Sequence, residues 1–206
     1  MNRRQCLLTT GLASAGAALF PSIAAFAASD GRIGNTSREE WDQVNRDAAA
    51  KVAAIRPDSS DLSAPDQTLL GEIVTGGMMQ LELSRVAADQ ASSEDVKAYA
   101  QAEVAEQAGL SAKLREIAGA KGITLPEKPD AKTAAAVDNL RTKSGDAFDA
   151  EYLRLVGVEG HRALERTMDK VEASADDDNL RRVAAIALPL IRFHLQTARE
   201  EVGETK

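Results

Sequence analysis

The chain has 206 residues, a formal net charge of −7 and a mean hydropathy of −0.27, and only 3% of its residues are aromatic. This length accommodates one domain with short extensions, and the alanine- and leucine-rich composition, poor in aromatic residues, is typical of an all-helical protein. Acidic and basic residues are interspersed and form no basic patch, which argues against nucleic acid as a partner.

Residues 1–27 have the pattern of an export signal. The pair Arg3-Arg4 precedes a long uncharged run, which ends in the A-x-A sequence at 25–27. Followed by Gln-Cys-Leu-Leu, this pair resembles the twin-arginine signal of bacteria. We predict cleavage after Ala27 and a periplasmic protein without stable membrane insertion; retention of the segment as an anchor is the alternative. The only cysteine lies in this segment, so the mature chain can form no disulfide.

Residues 28–63 are predicted to form a polar arm that contains one short helix. This helix is predicted between Glu39 and Ile55, before the helix-ending pair Arg56-Pro57. The apolar residues of the stretch recur at helical spacing: Trp41, Val44, Ala48, Val52 and Ile55.

Four long amphipathic segments follow and predict a four-helix bundle over residues 64–202, with a short tail at 203–206. Ser63 and Ser92 are the predicted N-caps of the first two long helices. No strand pattern competes, so the predicted fold class is all-α. The long helices are predicted over residues 65–90, 92–122, 144–173 and 179–202, with a weaker helical stretch at 133–140.

Three stretches of these helices carry a family resemblance. They read "GGMMQLELSRVAADQASSEDVKAYAQAEVAEQAGLSAKLREIAGAKGITLP", "SGDAFDAEYLRLVGVEGH" and "LPLIRFHL". They resemble an exported bacterial ferritin-like domain family of unknown function, domain of unknown function 4142. The resemblance covers about residues 64–198 and implies a ferritin-like four-helix bundle outside the cytoplasm, without an established enzymatic activity. Its sharpest marks are Phe148-Asp149, Tyr152, His161, Leu188-Pro189 and His194.

A dinuclear metal site is disfavoured by the residues themselves. Ferritin-like bundles that bind two metal ions use Glu-x-x-His motifs, because residues three apart lie on one helix face. Here the residue three positions before His161 is Val158, and the residue three positions before His194 is Ile191. We therefore predict no catalytic residue and no dinuclear oxidase site.

The candidate ligands for a single divalent transition metal ion are two histidines and three glutamates. Both histidines lie in register with the apolar stripes of their helices and are expected to point inward. Glu103 stands at a position that its helix otherwise keeps apolar, whereas the other two glutamates lie at stripe edges. The candidates are His161, His194, Glu103, Glu106 and Glu82.

The same residues allow a metal-free interpretation. His161, His194, Glu103 and Gln107 would then form a buried, mutually hydrogen-bonded cluster, which is narrowly favoured because buried polar groups are usually paired within the protein. In the family pattern a glutamate is usual at the position of Gln80, and a histidine at that of Gln107. The resemblance therefore implies that this chain has lost two contributors to an inherited site.

Three functional hypotheses follow from the sequence. The first is a non-enzymatic binding or stress-associated envelope protein that holds a single divalent metal ion or none. The second is a metal-dependent oxidase or a catalase-like relative of ferritin. The third is a purely structural or interaction module whose polar core fixes the helix register. The sequence identifies neither a substrate, nor a protein partner, nor an oligomeric state.

Overall fold

The structure, a computed structural model, describes residues 31–204 and is mostly helical; the predicted signal segment at 1–27 lies outside the described residues. The elements, in chain order, are β1 (Arg32–Ile33), β2 (Thr36–Ser37), α1 (Arg38–Ala53), α2 (Ala64–Gln90), α3 (Glu94–Ala120), α4 (Ala131–Arg141), α5 (Gly145–Tyr152), a π-helical segment (Leu153–Gly160), α6 (His161–Ser174) and α7 (Asp178–Glu201). The predicted all-α fold class with a short N-terminal helix is confirmed.

The long helices pack side by side as a bundle. α2 packs along α3, α6 packs along α7, and α2 also contacts α6. The third predicted long helix is continuous in the chain but has three parts, because the π-helical segment joins α5 to α6 without a break. α1 lies against both α3 and α7 and bridges them. Within residues 31–204, no helix has the length and apolar character needed to cross a membrane.

One of the two predicted N-caps is correct and the other is wrong by one residue. Ser63 caps α2, since its Oγ accepts from the backbone N–H of Asp66 at 3.2 Å. The cap of α3 is Ser93, not Ser92. Either of the two adjacent serines could cap the helix. The hydroxyl of Ser92 is engaged in a long-range contact instead, and Ser93 is the cap.

That contact is a buried aspartate, Asp149 of α5, which ties the third helix to the α2–α3 turn. Its Oδ2 accepts from the hydroxyl of Ser92 at 2.6 Å and from the backbone N–H of Ser93 at 2.8 Å, and its Oδ1 accepts from the backbone N–H of Ser92 at 3.0 Å. A carboxylate with three donors satisfies its buried charge. Asp149, one of the marks of the family resemblance, therefore has a structural role.

A short β-hairpin, which the sequence pattern did not predict, anchors the N-terminal arm to the end of α7. β1 and β2 pair antiparallel, and the side chain of Ile33 is fully buried. The backbone N–H of Asn35 donates to Glu200 Oε2 at 2.9 Å, and that of Gly34 donates to Glu201 Oε1. These contacts fix where α1 begins, so α1 is held across α3 and α7.

Candidate metal centre

Three charged or titratable side chains meet in the centre of the bundle. Glu103 of α3, His161 of α6 and His194 of α7 are each fully buried. Glu103 Oε1 lies 2.5 Å from His194 Nδ1 and 3.0 Å from His161 Nε2. One ligand atom of each residue lies within 4.8 Å of the others, which is the arrangement of a compact metal site.

The π-helical segment positions His161. Backbone hydrogen bonds in a π-helix span five residues instead of four, and such segments are frequent at functional sites. His161 follows Val156 by five residues, and its Nδ1 lies 2.8 Å from the Val156 carbonyl oxygen. Gln80 Nε2 donates to the same oxygen at 3.2 Å. The side chain of His161 is therefore held on its outer side by the backbone of its own helix.

This contact sets the tautomer of His161. A carbonyl oxygen can only accept, so Nδ1 carries the proton that points to Val156. In the neutral ring Nε2 then carries a lone pair that faces the cluster. Although Nε2 lies 3.0 Å from Glu103 Oε1, it makes no hydrogen bond within the described residues, because the alignment is poor. His161 thus presents an unpartnered, buried nitrogen to the centre of the site.

His194 is held in the same manner by α1. Its Nε2 lies 3.0 Å from Asn45 Oδ1, while Asn45 Nδ2 donates to the carbonyl oxygen of Trp41 at 2.9 Å. This second bond orients the Asn45 amide, so its oxygen faces the ring and His194 Nε2 is the donor. His194 Nδ1 faces inward, toward Glu103 Oε1 and, at 3.2 Å, toward Glu106 Oε2.

The charges of the cluster shift two pKa values in opposite directions. Burial disfavours the charged form of His194, but the charges and hydrogen bonds of Glu103 and Glu106 outweigh it and raise the pKa of His194 to about 9. Burial also opposes ionisation of Glu103, yet attraction to His161 and His194 holds its pKa well below the usual range. Without a metal ion, Glu103 is ionised at neutral pH and His194 carries a proton.

Aromatic residues close the site around His194. The ring of Trp41 stacks on it with 4.6 Å between ring centroids and 22° between planes. The hydroxyl of Tyr99 donates to the His194 carbonyl oxygen at 3.2 Å, and burial raises the pKa of this hydroxyl well above its usual value. Trp41 and Tyr99 are 1% and 0% exposed. Water is therefore excluded from this side, which strengthens electrostatic interactions within the cluster.

The structure brings together four of the five predicted ligands. Glu103, His161 and His194 form the cluster, and Glu106 borders it through its contact with His194. The structure does not bring Glu82 to the cluster: its carboxylate pairs with Arg85 at 2.5 Å, and its side chain is 31% exposed. A side chain at the edge of an apolar stripe can point toward the core or toward solvent. Here the ion pair with Arg85, three residues later, holds the carboxylate at the surface.

Gln80 and Gln107, which the resemblance implies stand in place of two ligands, also lie at the site. Gln80 is 3% exposed, and its Nε2 lies 3.4 Å from His161 Nδ1, on the outer side of the ring. Gln107 donates weakly to Glu106 Oε1 at 3.4 Å, and its own Oε1 is buried without a hydrogen-bond partner. Among the described residues, Gln107 therefore bonds to the bordering Glu106 and not, as the metal-free interpretation had expected, to Glu103, His161 or His194.

Sequence reasoning missed the contributions of Trp41 and Asn45. Both lie on α1, four residues apart and therefore on one helix face, and both contact His194. The sequence placed Trp41 on the apolar stripe of its helix. That it is the only tryptophan of the chain was the one sign that it could have a role at the site. For Asn45 the sequence carries no signal, because its partner is 149 residues away.

Fold and site together define an all-α bundle protein with a buried carboxylate–imidazole cluster. Residues 51–200 match a family described as a domain of unknown function, DUF4142, and the chain belongs to this family. A search of curated proteins and of solved structures finds no match. The matched region begins near the end of α1, so Trp41 and Asn45 lie before it.

Proposed function

We propose that this protein is an exported, non-enzymatic binding protein of ferritin-like type that holds one divalent transition metal ion between Glu103, His161 and His194. Two imidazoles and a carboxylate suit zinc and other ions of the first transition row. The ion would serve storage, buffering or envelope stress protection rather than turnover.

The observation that carries the proposal is the direction of the histidine protons. Metal-binding histidines almost always donate their outer N–H to a carbonyl, amide or carboxylate oxygen, which turns the other nitrogen to the ion. His161 does so to the Val156 carbonyl, and His194 does so to Asn45. When both rings are neutral, each therefore directs a nitrogen lone pair at the Glu103 carboxylate. The lone pairs and the carboxylate repel each other unless a proton or a cation lies between them.

Unpartnered atoms and spacing also support a cation. Glu103 Oε2, Glu106 Oε2 and His161 Nε2 are buried without hydrogen-bond partners within the described residues. A tetrahedral ion with bonds of about 2.0–2.1 Å holds its ligand atoms about 3.3 Å apart. The 3.0 Å between His161 Nε2 and Glu103 Oε1 and the 3.2 Å between His194 Nδ1 and Glu106 Oε2 are close to this value. The 2.5 Å between Glu103 Oε1 and His194 Nδ1 would have to widen. Three protein ligands leave a fourth position, and Glu106 borders it.

Export is the part of the proposal that rests on sequence alone. Residues 1–27 have the arginine pair, the apolar run and the A-x-A sequence of a twin-arginine-type signal. A route that carries folded proteins would suit a site that is assembled only in the folded bundle, since its three ligands come from α3, α6 and α7. We propose a periplasmic location on this basis.

A metal-free role is the second candidate, and one observation favours it. The contact of 2.5 Å between His194 Nδ1 and Glu103 Oε1 is that of a charge-assisted hydrogen bond, and the raised pKa of His194 provides the proton. In that case the cluster is a buried ion pair that fixes the helix register. Breaking such a pair costs about 3–5 kcal/mol, although its net contribution to stability is small.

Titration of the chelator-treated protein with Zn²⁺ by isothermal calorimetry separates the two roles. The metal proposal predicts one site per chain, with binding weakened at least about tenfold in His161→Gln and in His194→Gln, since each loses a ligand. Glu82→Gln is the matched control, because it neutralises a glutamate outside the cluster and should bind as the unmodified protein does. Absence of saturable binding in the unmodified, folded protein would leave the ion pair as the function of the cluster.

A further inference from the structure

The π-helical segment Leu153–Gly160 needs contacts that hold it, because π-helical turns are rare and α-helical hydrogen bonding is the usual state of a helix. In an α-helix Gly160 would lie one turn after Val156, and His161 would lie about 100° further round the helix. In the π-helical turn the backbone N–H of His161 donates to the Val156 carbonyl oxygen instead. The extra residue of this turn therefore sets the direction in which His161 points.

Gln80 of α2 contacts both ends of this turn. Its Nε2 donates to the Val156 carbonyl oxygen at 3.2 Å, the same oxygen that lies 2.8 Å from His161 Nδ1. At the other end a Cβ on Gly160 would collide with Gln80 Oε1, so the carboxamide packs directly on the glycine backbone. Because Gln80 is only 3% exposed, solvent does not compete for these contacts.

The three nitrogen atoms that contact the Val156 carbonyl oxygen differ in what holds them. Two of them, the backbone nitrogen and Nδ1, belong to His161 and would move with it if the turn relaxed to an α-helix. The third, Gln80 Nε2, lies on another helix, whose position is fixed by its packing along α3 and against α6. Of these three contacts, only that of Gln80 can therefore hold the carbonyl against rotation of the turn.

We propose that Gln80 is a positioning residue of the metal site, which holds the π-helical turn and thereby keeps His161 directed at Glu103. The inference rests on the proposed function, because it concerns an ion that His161 binds. Gln80 lies on the outer side of the His161 ring and acts through the Val156 carbonyl, not as a ligand. Outer partners that orient a metal ligand change metal affinity about tenfold to a hundredfold.

Gln80→Met tests the proposal, because methionine fills a similar volume but cannot donate to the Val156 carbonyl. In calorimetry the chelator-treated variant should bind Zn²⁺ about tenfold more weakly than the unmodified protein. Gln67→Met is the matched control and should bind Zn²⁺ as the unmodified protein does. Gln67 also lies on α2, and its Nε2 also donates to a backbone carbonyl, that of Leu62 at 3.0 Å. It lies thirteen residues before Gln80, about 20 Å along the helix axis.

A second background separates positioning of His161 from a general loosening of the bundle. Since Gln80 acts through His161, adding Gln80→Met to a chain that already carries His161→Gln should weaken Zn²⁺ binding by less than about twofold. Weakening of about tenfold in that background as well would overturn the proposal. Unchanged Zn²⁺ binding in the single Gln80→Met variant would overturn it too.

A measurement without metal ion tests the contact itself. In the chelator-treated protein the NMR resonance of the Val156 carbonyl carbon should move upfield in Gln80→Met, because a carbonyl that loses a hydrogen-bond donor is less polarised. It should not move in Gln67→Met, and an unmoved resonance in Gln80→Met would refute the proposal. Absence of Zn²⁺ binding in the unmodified protein would overturn the metal site and the role of Gln80 in it. A moved resonance would then show that the fault lies in the metal site and not in the contact of Gln80 with the turn.

Discussion

In the metal-free protein, stability should decrease as the pH rises from 6.5 to 9. The pKa of His194 is raised in the folded state from 6.5 to about 9, so the folded chain binds a proton in this interval that the unfolded chain releases. Stability from this group is fully present below pH 6.5 and is lost as the pH rises through 9. The depressed pKa of Glu103 acts in the other direction, but its contribution is lost only on strong acidification.

The size of the effect follows from the shift. One pKa unit corresponds to about 1.4 kcal/mol, so the rise of His194 from 6.5 to about 9 gives an upper limit of about 3 kcal/mol. Few other groups titrate in this window, since the chain has two histidines and one cysteine. Burial raises the pKa values of Tyr99 and Tyr152 well above 10, outside the interval.

The assay is urea unfolding in the presence of a chelator, at pH 6, 7, 8 and 9. His194→Gln should remove most of the pH dependence, because the titrating group is gone. Addition of Zn²⁺ should reverse the trend, since the ion competes with the proton and binds more tightly as the pH rises. A free energy of unfolding that is constant or rises between pH 6.5 and 9 in the metal-free protein would refute the assigned protonation states.

Substitutions at three positions, Asn45, Trp41 and Gly157, test the surroundings of the cluster. Asn45→Leu should weaken Zn²⁺ binding about tenfold to a hundredfold in calorimetry, because it removes the acceptor that orients His194, whereas Asn45→Asp, which keeps an acceptor, should preserve it. Trp41→Ala should lower the free energy of unfolding in urea by about 3–5 kcal/mol, because this side chain is 1% exposed. Gly157→Ala should lower it by about 1–3 kcal/mol, since the new Cβ would lie 2.5 Å from Ala198 Cβ. Gly71→Ala, whose Cβ would meet open space, should instead raise it by about 0.5–1 kcal/mol; equal effects of the two glycine variants would contradict the packing argument.

The parts of the fold that depend on local pattern could be predicted from the sequence. The amphipathic stripes determine which residues of each helix face the core, so the burial of Glu103, His161 and His194 followed from their register alone. Register does not determine the direction of Glu82, because this side chain lies at a stripe edge and pairs with its neighbour Arg85. Helix periodicity therefore identifies central residues of a site better than its margins.

The remaining features depend on contacts between distant segments. The π-helical segment keeps a helical residue pattern, and only the glycines at 157 and 160, which allow close approach by Ala198 and Gln80, set it apart. The placement of α1 depends on the hairpin and on the end of α7, more than 160 residues away in sequence. The sequence therefore predicted the short helix of the arm, but not that this helix supplies Asn45 to the site.

Elemental analysis of the purified protein tests the central claim most directly. It should be run beside a His161→Gln/His194→Gln double variant whose helical circular dichroism confirms that it is folded. The proposed ligand set predicts about one divalent transition metal ion per chain in the unmodified protein and almost none in the double variant. No metal in the unmodified protein, or equal metal in both, would contradict a metal centre formed by Glu103, His161 and His194.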